Sequence, residues 1–419
     1  TSLGEILQDF GQGWTIRSEH VGKVFEEGGR PDILIEKPDG WPVVLEAEVV
    51  NYRQAEIEAQ QRLGNRLVSS AHPVHAAIAL VYPDELRHHS GAALRDALRD
   101  ADLEYALFTV EADGSNSRFP GTGWISGKMS ELAVLLHRSS IPAWRVEALA
   151  DELERGVVRA SGAFSATHPH GSALGHSIAE LLGQEDDEEG QTRRMAMTVI
   201  VNALVFHAAL SEAEMEVPDT PPRSVKSPGE SRSRGTFRPS HLLDEWEMIL
   251  EVNYWPIFHT AGEMVRILPP QVAAAILDIL WETAEELVVG GVTKSHDLTG
   301  VVFQRLIADR KFLATYYTRP SGAALLAGLA MPIQAPIAGA SWGDAESLSS
   351  ARIGDFACGT GTLLSTAYQR GSLLHEIHGG DPKAIHPQMM ERGLVGLDVL
   401  TVAVHLTAAM LAGSHPDTP

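Results

Sequence analysis

Apolar residues recur at strand-like spacing in two stretches near the N-terminus, Asp32 to Glu36 and Val43 to Val50. The Lys37-Pro38-Asp39-Gly40 stretch between them has turn chemistry, so the pair reads as a β-hairpin. A polar helix is expected from Arg53 to Leu67, then an apolar strand His75 to Val81, a helix Pro83 to Asp100 and a strand Glu104 to Val110. This order predicts a mixed α/β domain over residues 1–137. Helical patterning follows over residues 141–210, with an acidic run Glu185 to Glu189 expected as a solvated loop. Pro218 to Pro239 is rich in Pro and Ser and carries Arg223, Lys226, Arg232, Arg234 and Arg238, which predicts a disordered hinge. Its charge has a second reading as a DNA contact. Helical spacing resumes from His241 to about Ala330, with Leu277, Leu280, Ala284 and Leu287 on one face.

Composition narrows the class. A chain of 419 residues with 44% hydrophobic content can bury more than one core, and no uninterrupted apolar run approaches the roughly 18 residues of a membrane span. No basic, apolar leader opens the chain, and Cys358 is the one cysteine, so a reducing cytoplasm is expected, with no membrane partner. The net charge of −22 excludes a nonspecific nucleic-acid coat but leaves room for a local basic groove.

The densest motif runs Ile353-Gly354-Asp355-Phe356-Ala357-Cys358-Gly359-Thr360-Gly361-Thr362. It predicts a short strand, a glycine turn that lets the backbone approach a ligand, and a helix beginning near Thr362. About 40 residues on, Leu394 to Val399 reads as the next parallel strand, and the acid Asp398 near its end can accept two ribose hydroxyls. Upstream, Tyr316-Tyr317-Thr318 precedes a small-residue helix, Ser321 to Ala330.

These three blocks, in this order, resemble the N6-adenine DNA methyltransferases of type I and type IIG restriction-modification systems. The Asp355-to-Gly361 segment is similar to that family's cofactor loop, and Asp398 with the helix Thr401 to Leu411 to its ribose-binding acid and following helix. The resemblance implies a Rossmann-like class I sheet binding S-adenosylmethionine. Tyr317 and Thr318 would contact the methionine end, Asp355, Ala357, Cys358, Gly359 and Gly361 would form the loop, and Asp398 would hold the ribose. Phe356 stands where proline is usual, and Arg319 where the family often has proline. The family's Asn/Asp-Pro-Pro-Tyr/Phe tetrapeptide, which holds the flipped adenine, does not occur after Asp398. The chain is therefore expected to be an excerpt that transfers no methyl group by itself.

In the N-terminal hairpin, Arg30-Pro31-Asp32 enters the first strand and Glu46-Ala47-Glu48 lies on the second. Folding about the turn sets Asp32 or Leu34 opposite Glu46 or Glu48, and alternation puts both glutamates on one face. Converging carboxylates repel unless a cation neutralises them, and Mg²⁺ favours such oxygens. The pattern resembles the PD-(D/E)xK nuclease superfamily, with Glu48 in place of the usual lysine. That resemblance implies Asp32, Glu46 and the Ala47 carbonyl as Mg²⁺ ligands, Glu48 and Gln60 (or Gln61) as further catalytic residues, and Glu5 or Glu19 as an acid from the opening helix.

The expectation is thus an α/β multidomain protein. It comprises a nuclease-like domain (1–137), a helical segment with linker (138–240), a helical part of the methyltransferase (241–345) and a partial cofactor domain (346–419). Its partners would be double-stranded DNA and a separate specificity region or subunit. The second reading makes the nuclease-like domain an inactive DNA-binding or docking module in a defence complex.

Overall fold

The computed structural model describes residues 2–8, 14–18, 24–26, 29–36, 41–68, 72–138, 142–187, 190–219, 221–289, 318, 320–333, 341–416 and 418. These divide into two compact units, Thr1–Arg145 with His375–Gly380, and Val146–Leu374 with Asp381–Pro419.

The first unit is an α/β layer built on a mixed seven-stranded sheet. Its elements are α1 (Ser2–Gln8), β1 (Thr15–Ser18), β2 (Ile33–Glu36), β3 (Pro42–Val49), α2 (Tyr52–Arg62), β4 (Ala76–Tyr82), α3 (Gly91–Asp100), β5 (Leu103–Val110), β6 (Asn116–Phe119), β7 (Ile125–Gly127) and α4 (Met129–Arg138). The hairpin β2–β3 is antiparallel with Ile33 opposite Leu45, whereas β3 and β4 run parallel around the α2 crossover. Its turn, 37–40, lies outside the described residues. The single helix expected over Pro83 to Asp100 is split: a 3-10 turn, Asp84–His88, stops at an extended His89, and Ser90 caps α3 in extended geometry.

Strand alternation sorts the core into two layers. Ile33, Ile35, Val43, Leu45, Ile78 and Leu80 pack with Leu3, Ile6 and Leu7 of α1 and with Leu98, Leu132 and Leu136 of α3 and α4. Leu34, Val44, Ala77 and Ala79 face the other way, against Ala55 and Ala59 of α2. Glu46 and Glu48 share the parity of Val44 and so fall on the α2 face.

In the second unit, helices dominate: α5 (Ala143–Thr167), α6 (Ala173–Leu181), α7 (Gln191–Glu212), α8 (Pro239–Val252), α9 (Trp255–Ile267) and α10 (Pro270–Val289). Helix α7 is the one described helix long and apolar enough to cross a membrane, and 89% of its most apolar window is buried, with α9 and α10 against it.

The Pro218–Pro239 segment is not a disordered hinge where it is described. Strands β8 (Glu216–Val217) and β9 (Arg223–Ser224) pair, a 3-10 turn follows at Pro228–Ser231, and β10 (Arg232–Ser233) pairs with β11 (Thr236–Phe237). Two of its five basic residues, Arg223 and Arg232, are engaged by acids of neighbouring helices. Arg223 forks onto Glu245 at 2.8 and 2.6 Å, and Arg232 lies 3.5 Å from Asp278. Val225 and Phe237 are buried, which supplies the apolar anchorage that the composition hid. The described part of the acidic run, Glu185 to Asp187, behaves likewise, since Asp186 pairs with Arg193 and Asp187 caps α7 through Gln191 and Thr192.

The chain closes with α11 (Pro320–Ala330), α12 (Ala345–Ser349), β12 (Ile353–Asp355), α13 (Thr362–Ile377), α14 (Pro382–Gln388), β13 (Leu394–Gly396) and α15 (Thr401–Ala412). Strands β12 and β13 are parallel neighbours, with Asp355 opposite Gly396.

Candidate functional sites

The glycine turn leaves β12 and is stitched to the end of β13 by a continuing ladder. Leu397 N–H donates to the Asp355 carbonyl at 2.9 Å, and Cys358 N–H to the Leu397 carbonyl at 2.9 Å. The Asp355 carboxylate accepts Ala357 N–H at 3.1 Å, which bends the chain out of the strand. At the adjoining strand end, Asp398 accepts Gly359 N–H at 2.8 Å and Leu400 N–H at 2.9 Å. Both of its oxygens are thereby oriented by backbone amides, and each retains a lone pair for a further donor.

The two glycines serve different ends. Gly361 has φ +83°, and a Cβ there would lie 2.7 Å from Thr407 Cγ2 of α15, so the turn closes onto that helix only without a side chain. Gly359 has φ +53°, and no atom lies within 4 Å of where its Cβ would stand. That open side belongs to the residue whose amide meets Asp398. Beneath the turn, Cys358 is buried, and burial pushes its thiol up from the ordinary range, so it stays protonated. Next to the acid, Val399 is 96% exposed, an apolar side chain beside a carboxylate.

Of the residues expected at this site, Asp355, Ala357, Cys358, Gly359, Gly361 and Asp398 are brought together. Thr318 is half-buried, and no hydrogen bond among the described residues ties it to the turn. Tyr317 lies outside the described residues.

In the first unit, the observed register sets Asp32 opposite Glu46, continuing the Ile33–Leu45 pair. Ala47 N–H donates to Asp32 Oδ2 at 2.7 Å, and Asp32 N–H to Glu46 Oε2 at 3.3 Å. The remaining Glu46 oxygen takes the guanidinium of Arg62, from the last turn of α2. Burial pushes the Glu46 carboxyl up to about 7, Arg62 pulls it down, and Asp32 adds to the rise. Glu48 is raised by burial, then by Glu58 and Asp32.

Three expected participants stand elsewhere. Gln60 and Gln61 are exposed on α2, because Ala55, Ala59 and Arg62 hold its inward face at helical spacing. Glu5 pairs with Arg95, on a helix that packs against the opposite side of the sheet. Glu19 lies outside the described residues. Arg62 was not foreseen, although a long cation in register with two buried alanines was a legible signal. Among the described residues, no three His, Cys, Asp or Glu side chains converge as a metal-ion site.

No family model matches the chain, nor does any curated protein or solved structure.

Proposed function

We propose that the second unit binds S-adenosylmethionine at the Asp355–Gly361 turn and belongs to an enzyme that methylates the exocyclic amine of adenine in duplex DNA. The observation that carries this reading is the 2.8 Å hydrogen bond from Gly359 N–H to Asp398, which ties a glycine turn to an acid just past the end of the adjacent parallel strand. A nucleoside needs such a pair: close backbone approach on one side and a carboxylate for the ribose diol on the other.

The residues present fit the cofactor. Gly359 leaves open space at its α-carbon, and Asp398 is half-buried with its oxygens already aimed by two amides. Asp398 would accept the ribose hydroxyls, and Val399 would offer an apolar face to the purine. Asp355 and the amides around Gly359 would receive the methionine portion, joined by Tyr317 and Thr318. The bound cofactor supplies an electrophilic methyl group on a sulfonium. The buried, protonated Cys358 supports the turn by packing and takes no nucleophilic part.

Tritium-labelled S-adenosylmethionine tests both halves of the reading. Retention of label by the chain should be lost in Asp398→Ala. Transfer of label to adenine in duplex DNA is expected from a polypeptide that also supplies the base-holding tetrapeptide. Transfer to protein or small molecules instead would contradict the DNA assignment.

A further inference from the structure

The Asp32–Glu46 pair would serve a hydrolase only if its carboxylates opened onto one shared position where a divalent cation could sit. Their oxygens are turned to other partners. Asp32 Oδ2 accepts Ala47 N–H at 2.7 Å, Glu46 Oε2 accepts Asp32 N–H at 3.3 Å, and Glu46 Oε1 holds Arg62. Glu46 is 2% exposed, so a second cation reaching it would first have to remove the one already there.

Arg62 is built into its place from four sides. Its Nη2 donates to the Arg30 carbonyl at 2.7 Å, and its guanidinium carbon lies 5.7 Å from the centroid of the buried Phe25 ring. Gly29 has φ +95°, and a Cβ there would stand 3.0 Å from Arg62 Nη1. The fourth side is Glu46 itself. Helix α2 aims the side chain, because Ala55, Ala59 and Arg62 recur on one face and the alanines let the helix lie close to the sheet. A fixed guanidinium supplies one positive charge and a rigid donor fork. It offsets part of the repulsion between Asp32 and Glu46 that otherwise invites a metal.

We propose that Arg62 is the resident cation of the Asp32–Glu46 pair, latching α2 to the β2–β3 hairpin, so that the first unit neither holds Mg²⁺ there nor cuts DNA through it. The donor set therefore does not fit the ion that the nuclease resemblance implies, and no hydrolytic step is routed through it.

The test uses Mn²⁺ as the probe, titrated into the full chain and read from the paramagnetic resonance of the free ion. Wild type and Glu46→Gln should give superimposable curves. Arg62→Gln, which keeps both carboxylates and removes the cation, should gain a saturable Mn²⁺ site. A saturable wild-type site that disappears in Glu46→Gln would overturn the proposal, as would Mg²⁺-dependent nicking of supercoiled DNA that is lost in Asp32→Asn. If Arg62→Gln does not fold, the comparison of wild type with Glu46→Gln still decides. None of these readings touches the second unit, so the cofactor assignment there stands or falls separately.

Discussion

Two acids that the sequence singles out, Glu46 within a strand and Asp398 just past the end of one, end in opposite states. Glu46 is sealed: a guanidinium and a backbone amide occupy its oxygens, and only 2% of the residue meets solvent. Asp398 is held but open, with two backbone amides aiming it and a glycine of unobstructed α-carbon alongside. Amides orient a carboxylate without cancelling its charge, whereas an arginine does both. A carboxylate aimed by amides at an open turn still has a ligand to gain, and one neutralised by arginine is already satisfied.

Breaking the sealed pair should have the largest effect. Arg62→Ala leaves a buried carboxyl without its cation, and a loss of about 3 kcal/mol is expected in denaturant unfolding. Arg62→Lys should recover only part of it, since an ammonium cannot span Glu46 and the Arg30 carbonyl with the same fork.

The two units should also differ in their response to pH. Burial lowers His207 and His405 from 6.5 to about 4, so the folded state excludes protons that the unfolded chain would bind. Their contribution is complete above pH 6.5 and is lost as pH falls towards 4, by about 3 kcal/mol for each histidine at the acid end. Glu46, raised from 4.5 to about 7, acts in the reverse direction: its contribution is complete below pH 4.5 and is lost as pH rises through 7. Thermal unfolding followed from pH 4 to 8 in Glu46→Gln and His405→Gln proteins separates the two slopes. Each substitution should flatten one limb of the profile and leave the other in place.

Glycine substitutions sharpen the contrast within the open site. Gly361→Ala forces a Cβ against Thr407 of α15 and should cost about 2 kcal/mol of stability. Gly359→Ala meets no atom of the protein, so its stability cost should be nearer 1 kcal/mol, from the left-handed backbone alone. On the proposed function, cofactor binding should nonetheless fall more in Gly359→Ala than its stability loss accounts for, because the methyl would enter the open space beside the Gly359 α-carbon.

Much of this was legible in the chain and some was hidden for identifiable reasons. The hairpin and the parallel strands flanking the glycine turn follow from alternation and turn chemistry, which are local, whereas the register, left open between Asp32 or Leu34 and Glu46 or Glu48, is fixed by the Ile33–Leu45 pairing. The folding of the Pro218–Pro239 segment was not legible, because Glu245 and Asp278, which hold Arg223 and Arg232, lie outside it in sequence. Composition rich in Pro, Ser and Arg registers flexibility and is blind to such partners. Gln60 and Gln61 are exposed because each residue of helical phase turns a side chain by about 100°, and the face towards the sheet is held by Ala55, Ala59 and Arg62.

The most direct test of the central claim is a calorimetric titration of S-adenosylhomocysteine into wild-type chain and into Asp398→Asn, which retains the shape but loses the charge. Saturable binding in wild type, weakened roughly tenfold or more in the variant, is the predicted result, since a charged hydrogen bond is worth about 1.5–3 kcal/mol. Equal affinity in the two proteins, or no binding in wild type, would contradict the assignment of Asp398 and the glycine turn as a nucleoside site.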